Sequence, residues 1–187
     1  MIKNLKTQLK ATFKLRLKFK SYFINYLLGI LSMKKEGNNN KIVYENLAPC
    51  CACKVSLDYL GDKWILIIIR DLFRKRYTFT HFFNESSEGI ATSVLADRLK
   101  KLYEIGVIGY KYLDNNNKNK NYYLTDRGIE LYDIIFALQL WTIQNVDFTY
   151  SENTTKWKSQ IENQDHLIVK ANFKEEYKLF RKEMFGF

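Results

Sequence analysis

Proline is almost absent, one residue in 187, and there are only eight glycines. That excludes collagen-like and Pro/Gly-rich linker architectures. The three cysteines are too few, and odd in number, for a disulfide scaffold. Two histidines, His81 and His166, stand far apart in sequence and do not make a histidine-rich metal site. No glycine-rich phosphate loop and no nucleophile–base–acid set is visible, so the chain is read as neither an enzyme nor a cofactor binder. The amino-terminal apolar run, Tyr22–Leu31, has ten residues and includes Asn25. A membrane-spanning helix needs about 20 apolar residues, so this run cannot span one. What is present is a hydrophobic fraction of 47% and an aromatic fraction of 16%. That is enough to bury a core and excludes wholesale disorder. The length fits one ordinary domain with extensions.

The net charge of +10 is unevenly placed. Residues 1–32 hold Lys3, Lys6, Lys10, Lys14, Arg16, Lys18 and Lys20 and no acid. The remainder carries 23 basic and 20 acidic residues, so overall charge alone says little about nucleic acid. The segment reads as an accessory basic helix, as a targeting or membrane-surface segment, or as upstream sequence read in frame ahead of a start at Met33. It lacks the small-x-small cleavage site of a signal peptide. Residues 34–41 are polar and turn-rich and read as a linker. The division expected is an extension and linker over 1–40, a compact domain over 41–150, and a helical extension over 151–187.

Within the central block, Asp62 is placed to cap a helix starting at Lys63-Trp64. The run Trp64–Ile69 also fits a buried strand, but about 12 residues without a turn signal favour a helix. A short helix is expected over Thr78–Asn84. After the turn Ser86–Gly89, residues Ile90, Val94, Leu95, Leu99 and Leu102 recur at helical spacing, with Gly106 as a stop. Val107–Leu113 then alternates with period two, Asp114–Asn121 is a polar tip, and Tyr122–Leu124 returns, making a hairpin. Thr125 caps a helix predicted to run unbroken to about Asn145. Short helices followed by a two-stranded hairpin form the arrangement of a winged helix-turn-helix, mainly α with a small β-hairpin.

Four stretches carry a family resemblance: Leu57–Trp64, Phe79–Phe83, Glu88–Lys100 and Tyr122–Gly128. In order and spacing, over roughly 100 residues, the block resembles the HxlR-type transcriptional regulators, a branch related to MarR-like winged-helix proteins. The resemblance implies a cytoplasmic homodimer on a roughly palindromic double-stranded DNA operator, released or engaged by a small-molecule or oxidant inducer. It implies a recognition helix over Ala91–Tyr103 and a dimer contact made by the last helix of the block with the first. Residues 1–40 and 151–187 fall outside it, and the role of 151–187 stays open.

The DNA-contact candidates follow from position. Thr92 and Ser93 bring hydroxyls to the first turn of that helix, where N–H groups also point at phosphate; the alternative for Thr92 is a simple cap. Lys100 and Lys101 suit phosphates or a solvated face. Arg98 suits DNA, or an acid within the fold. Asp97 could accept from cytosine N4, or pair with a basic side chain. Lys118 and Lys120 at the hairpin tip suit phosphates. Trp64, Phe79, Phe82 and Phe83 are expected in the core, and Trp141 in core or interface.

Cys50, Cys51 and Cys53 precede the first helix of the block. The resemblance places Cys51 in the register of a cysteine that some family members use to sense oxidants or electrophiles; Cys50 and Cys53 depart from the pattern. Thiolate oxidation to a disulfide is the chemistry implied, with Lys54 and a helix amino terminus as means of lowering a thiol pKa. Cys50-x-x-Cys53 as a thiol oxidoreductase motif requires a βαβ frame that is not seen. A structural zinc site requires a fourth ligand, His81 or His166. A winged helix that binds protein and not DNA is the second functional reading, in keeping with the balanced charge beyond residue 32.

Overall fold

The computed structural model describes residues 41, 42, 44, 49–113 and 119–187. Lys118, most of the hairpin tip and the whole of residues 1–40 lie outside the described residues. The chain divides into two units, Met1–Lys41 and Ile42–Phe187, and all the described helices and strands lie in the second.

Helix α1 (Ala52–Leu60) ends at Gly61. One residue later Asp62 caps α2 (Lys63–Phe73), its Oδ1 accepting from the Trp64 N–H at 2.8 Å. The cap decides the helix-or-strand ambiguity of the isoleucine run. With the first turn fixed, Ile65, Ile68, Ile69 and Leu72 fall on one face and are all buried. Lys75 adopts a left-handed φ of 63° and turns the chain. Helix α3 (Phe79–Asn84) is capped by Thr78, whose hydroxyl accepts from the His81 N–H. Phe82 is buried, but Phe83 is 46% exposed, a correction to its expected core place. On so short a helix only one of two consecutive aromatics can face inward.

Helix α4 (Thr92–Glu104) buries Leu95, Leu99 and Leu102. It ends in a Schellman motif: Gly106, at φ 66°, donates to the Tyr103 carbonyl and Val107 donates to the Leu102 carbonyl. Strands β1 (Ile108–Tyr112) and β2 (Lys120–Leu124) pair antiparallel, Ile108 opposite Leu124 and Tyr112 opposite Lys120. A single bridge between Thr78 and Asn121 adds the segment before α3 to this sheet. The architecture is thus mainly helical with one two-stranded wing, as the sequence predicts.

The helix expected from Thr125 to Asn145 is two: α5 (Asp126–Glu130) and α6 (Tyr132–Asn145). They are broken at Leu131, whose N–H reaches the Gly128 carbonyl in a tight three-residue turn. Two further helices follow, α7 (Glu152–Ile161) and α8 (His166–Phe185). Tyr177 of α8 joins the main core that includes Ile65 and Leu124. Trp157, Ile161 and Val169 form a second cluster with Tyr132 and Phe136. Among the described residues no helix is long and apolar enough to cross a membrane.

Gly128 is the tightest joint between wing and helices. A Cβ there would lie 2.2 Å from the Val107 carbonyl oxygen, and a backbone atom cannot yield as a side-chain tip can. Gly128→Ala is expected to lower stability by about 1–3 kcal/mol, read as a lower urea midpoint; an unchanged midpoint would contradict the close approach.

Candidate nucleic-acid interface

Helix α4 is held on α2 by two ion pairs that bracket its amino-terminal half. Glu88, in the turn before α4, receives both Nη groups of Arg70. Arg70 also binds Asp71, which is only 1% exposed and takes a further bond from Arg76 at 3.2 Å. One turn and a half into α4, Arg98 places Nε and Nη2 on Asp62 Oδ2 at 3.0 and 2.7 Å. Asp62 therefore caps α2 with one oxygen and anchors α4 with the other. Its carboxyl sits below the ordinary carboxylate range, chiefly because of the Arg98 hydrogen bonds. Glu88 is pushed from 4.5 down to about 2, first by Arg70 and then by Ser86.

These anchors sort the sequence candidates. Thr92 and Ser93 are exposed in the first turn of α4; the N-cap is Ala91, so Thr92 does not cap the helix. Asp97 and Lys100 are exposed on the side of Ser93, at spacings of four and seven residues. Among the described residues Lys100 makes its ion pair within its own helix, 3.9 Å from Glu104. Among the described residues no ion pair engages Asp97. Arg98 is spoken for by Asp62. Lys101 turns the other way and donates to the Asp58 carbonyl at 3.0 Å, at the carboxyl end of α1. Lys120 stands on the wing with its ammonium 4.2 Å from the centre of the Tyr110 ring.

A tyrosine row joins α4 to the wing and was not singled out in the sequence. Tyr103, half exposed in the last turn of α4, meets Tyr110 at 5.2 Å, and Tyr110 meets Tyr112 and Tyr122 at 5.7 and 6.2 Å. The signal was available: period-two alternation in β1 sets Tyr110 and Tyr112 on one face.

Cys51 is the N-cap residue of α1 and Cys53 lies in its first turn; both are exposed, Cys50 is half-buried, and all three are thiols. The Lys54 ammonium, in the first turn of α1, is held by Asp58 and the Tyr44 hydroxyl. Among the described residues no group of His, Cys, Asp and Glu could hold a metal ion, so the cysteines and either histidine do not converge as a zinc site. The only sheet among the described residues is the antiparallel pair, not the βαβ frame of a thiol oxidoreductase.

Residues 59–150 match the HxlR-like helix-turn-helix family. An uncharacterized HTH-type transcriptional regulator of Synechocystis sp. is 26% identical over 112 residues, covering 57% of this chain and 82% of that protein. A second, from Mycobacterium bovis, is 28% identical over 86 residues, 46% of this chain; the match spans only 53% of that protein's length. Among solved structures the chain is similar to the reduced form of the transcriptional regulator YodB from B. subtilis, with 24% identity, a TM-score of 0.45, and coverage of 54% of this chain and 97% of that one. It is also similar to the redox regulator HypR in its oxidized form, with 23% identity, a TM-score of 0.48, and coverage of 52% and 100%.

The depressed Glu88 carboxyl fixes the sign of an acid effect. Its stabilisation is complete above pH 4.5 and is lost as pH falls toward about 2. Glu88→Gln is expected to remove part of the acid dependence of urea unfolding between those values; an unaltered profile would contradict the Arg70 contact. Asp62→Ala removes a cap and an anchor together and is expected to cost about 1–2 kcal/mol at neutral pH.

Proposed function

Because residues 59–150 belong to the HxlR-like helix-turn-helix family of transcriptional regulators, we propose that the chain binds double-stranded DNA as a homodimer at a roughly palindromic operator, in the cytoplasm. The observation that carries this reading is the division of labour on α4. Arg98 and Lys101 are turned inward to hold the helix, and Thr92, Ser93, Asp97 and Lys100 are left outward on a rigid mount. Ser93 and Thr92 act at the helix amino terminus on base edges or phosphate. Asp97 accepts from a base amino group. Lys100, with Lys118 and Lys120 of the wing, neutralises phosphates. Arg98 and Lys101 set the helix angle.

The dimer is supported by α6. One side buries Tyr132, Ile135 and Phe136, and the other leaves Ile134, Leu138 and Trp141 exposed at spacings of four and three. Trp141 is 60% exposed in the single chain, as is Leu57 of α1. A continuous apolar stripe of this kind fits a second copy better than water.

Thiol switching is the finer part of the reading. Cys51 and Cys53 are accessible at the start of α1. A peroxide would take two electrons and two protons from two thiols, giving a disulfide, within or between subunits, and water. The change would pass to α4 through the Lys101–Asp58 contact.

The test is the affinity of the protein for DNA from upstream of its own gene, across salt concentrations, reduced and then oxidised. Affinity is expected to fall with a slope of about −0.9 per phosphate contact on logarithmic axes. Ser93→Ala, which removes a single hydroxyl contact, is expected to lower specific affinity by about 0.5–1.5 kcal/mol. Lys100→Ala should weaken all sequences alike and flatten the slope by about 1. Cys51→Ser combined with Cys53→Ser should abolish the response to oxidation. No DNA binding even at low salt would favour a winged helix that binds protein instead.

A further inference from the structure

The family match ends at residue 150, yet the last helix of the chain, well beyond that limit, grips the wing. Helix α8 has 20 residues, a length of about 30 Å. Its two halves do different things. The amino-terminal half lies on α5 and α6. Lys174 reaches Glu130 and Asp133 at 2.7 and 2.9 Å, Lys170 reaches Asp133 at 3.3 Å, and the Phe173 ring stacks on Tyr132. The carboxyl-terminal half takes hold of β2 where it leaves the sheet. The Leu124 N–H donates to the Tyr177 hydroxyl at 3.0 Å, and the Leu124 carbonyl accepts from Arg181 Nη1 at 2.9 Å. Both backbone groups of one wing residue are thus bound by a single helix. Arg181 Nη2 also binds Asp126, the first residue of α5.

The same end of α8 covers one face of the hairpin. Register places Gly109, Lys111, Asn121 and Tyr123 on that face and Tyr110, Tyr112, Lys120 and Tyr122 on the other. Phe185 and Phe187 lie against Tyr123 at 5.1 and 4.9 Å, and Lys111 donates to the Phe185 carbonyl. The opposite face, with Lys120, is left toward Tyr103 of α4. A bare two-stranded hairpin is marginal by itself; here its back is packed and its exit bonded.

We propose that α8 is a strut that positions the wing, fixing the tilt of the Lys120 face against α4 and joining it mechanically to α6. The proposal rests on the DNA-binding reading above. Arg181, Tyr177 and Phe185 are positioning residues: they touch no DNA and act through the hairpin. The link also runs from the apolar helix proposed for dimer contact to the wing, so a shift of α6 would be delivered to the hairpin.

The test is a double-mutant cycle on the full chain. Arg181→Ala is combined with Lys118→Ala/Lys120→Ala, and affinity for a duplex from upstream of the protein's own gene is measured over a salt series. Arg181→Ala is expected to weaken binding about five- to tenfold in the native background and less than about twofold where the wing lysines are gone. The salt slope should flatten by about 0.9 for each phosphate that the wing no longer neutralises. Arg181→Lys, which keeps one donor to Leu124, should restore part of the affinity and guards against misfolding of the alanine variant. Amide exchange should rise in β1 and β2 while α2 and α4 stay protected. Equal weakening in both backgrounds, or exchange raised throughout the molecule, would overturn the strut and leave the regulator reading intact. Absence of DNA binding by the unsubstituted chain would overturn the regulator reading, and this role for α8 with it.

Discussion

Asp62 is the residue on which the geometry of the site turns. A single carboxylate cannot cap α2 and hold Arg98 unless the start of α2 and the middle of α4 lie within a few ångströms of each other. That requirement sets how α4 crosses α2, and the buried leucines of α4 then fill the space against Ile65, Ile68 and Ile69. The second anchor, Glu88 on Arg70, fixes the turn from which α4 starts. The apolar face supplies most of the free energy of this packing, since leucines could slide with little penalty but remain buried. The ion pairs supply the angle, because hydrogen bonds to a carboxylate are directional. A helix that carries contacts on its outer face must be held this way, since an error of an ångström at its base displaces every side chain on it.

Much of this was legible in the sequence, and the parts that were not share a cause. The cap at Asp62, the stop at Gly106, the tyrosine-rich hairpin and the cap at Thr125 are local signals, each carried within a few residues. Arg98 could be seen to suit an acid within the fold, but its partner lies 36 positions back in the chain. Nothing near Arg98 names Asp62. The break at Leu131 was hidden because it is made by a tight turn within otherwise helical sequence, with no proline to mark it. The extent of helix α8 was not legible because exposed Leu167, Ile168 and Leu179 blur the periodicity of Val169, Phe173 and Tyr177. Lys54 looked like a neighbour of the thiols by sequence; along a helix its nearer partner is Asp58, one turn on.

The carboxyl-terminal helices change what the wing is. With its back face under Phe185 and Phe187, and Leu124 bonded on both sides by α8, the described part of the hairpin is packed and bonded onto the rest of the domain. Its tyrosine face and α4 then form one continuous surface. In the proposed dimer that surface would be repeated by symmetry, and the separation of the two copies would be set by α6 and α1. Thiol chemistry at Cys51 or Cys53 would act on that separation from the far end of α1, the helix whose last turn receives Lys101.

The central claim is that two copies of α4 read DNA together, and a protection footprint on DNA upstream of the protein's own gene tests it most directly. The account predicts two protected tracts related by approximate two-fold symmetry, their centres about 34 Å or one helical turn apart, or a multiple of that. Protection of a single tract, or none at any salt concentration, would contradict it.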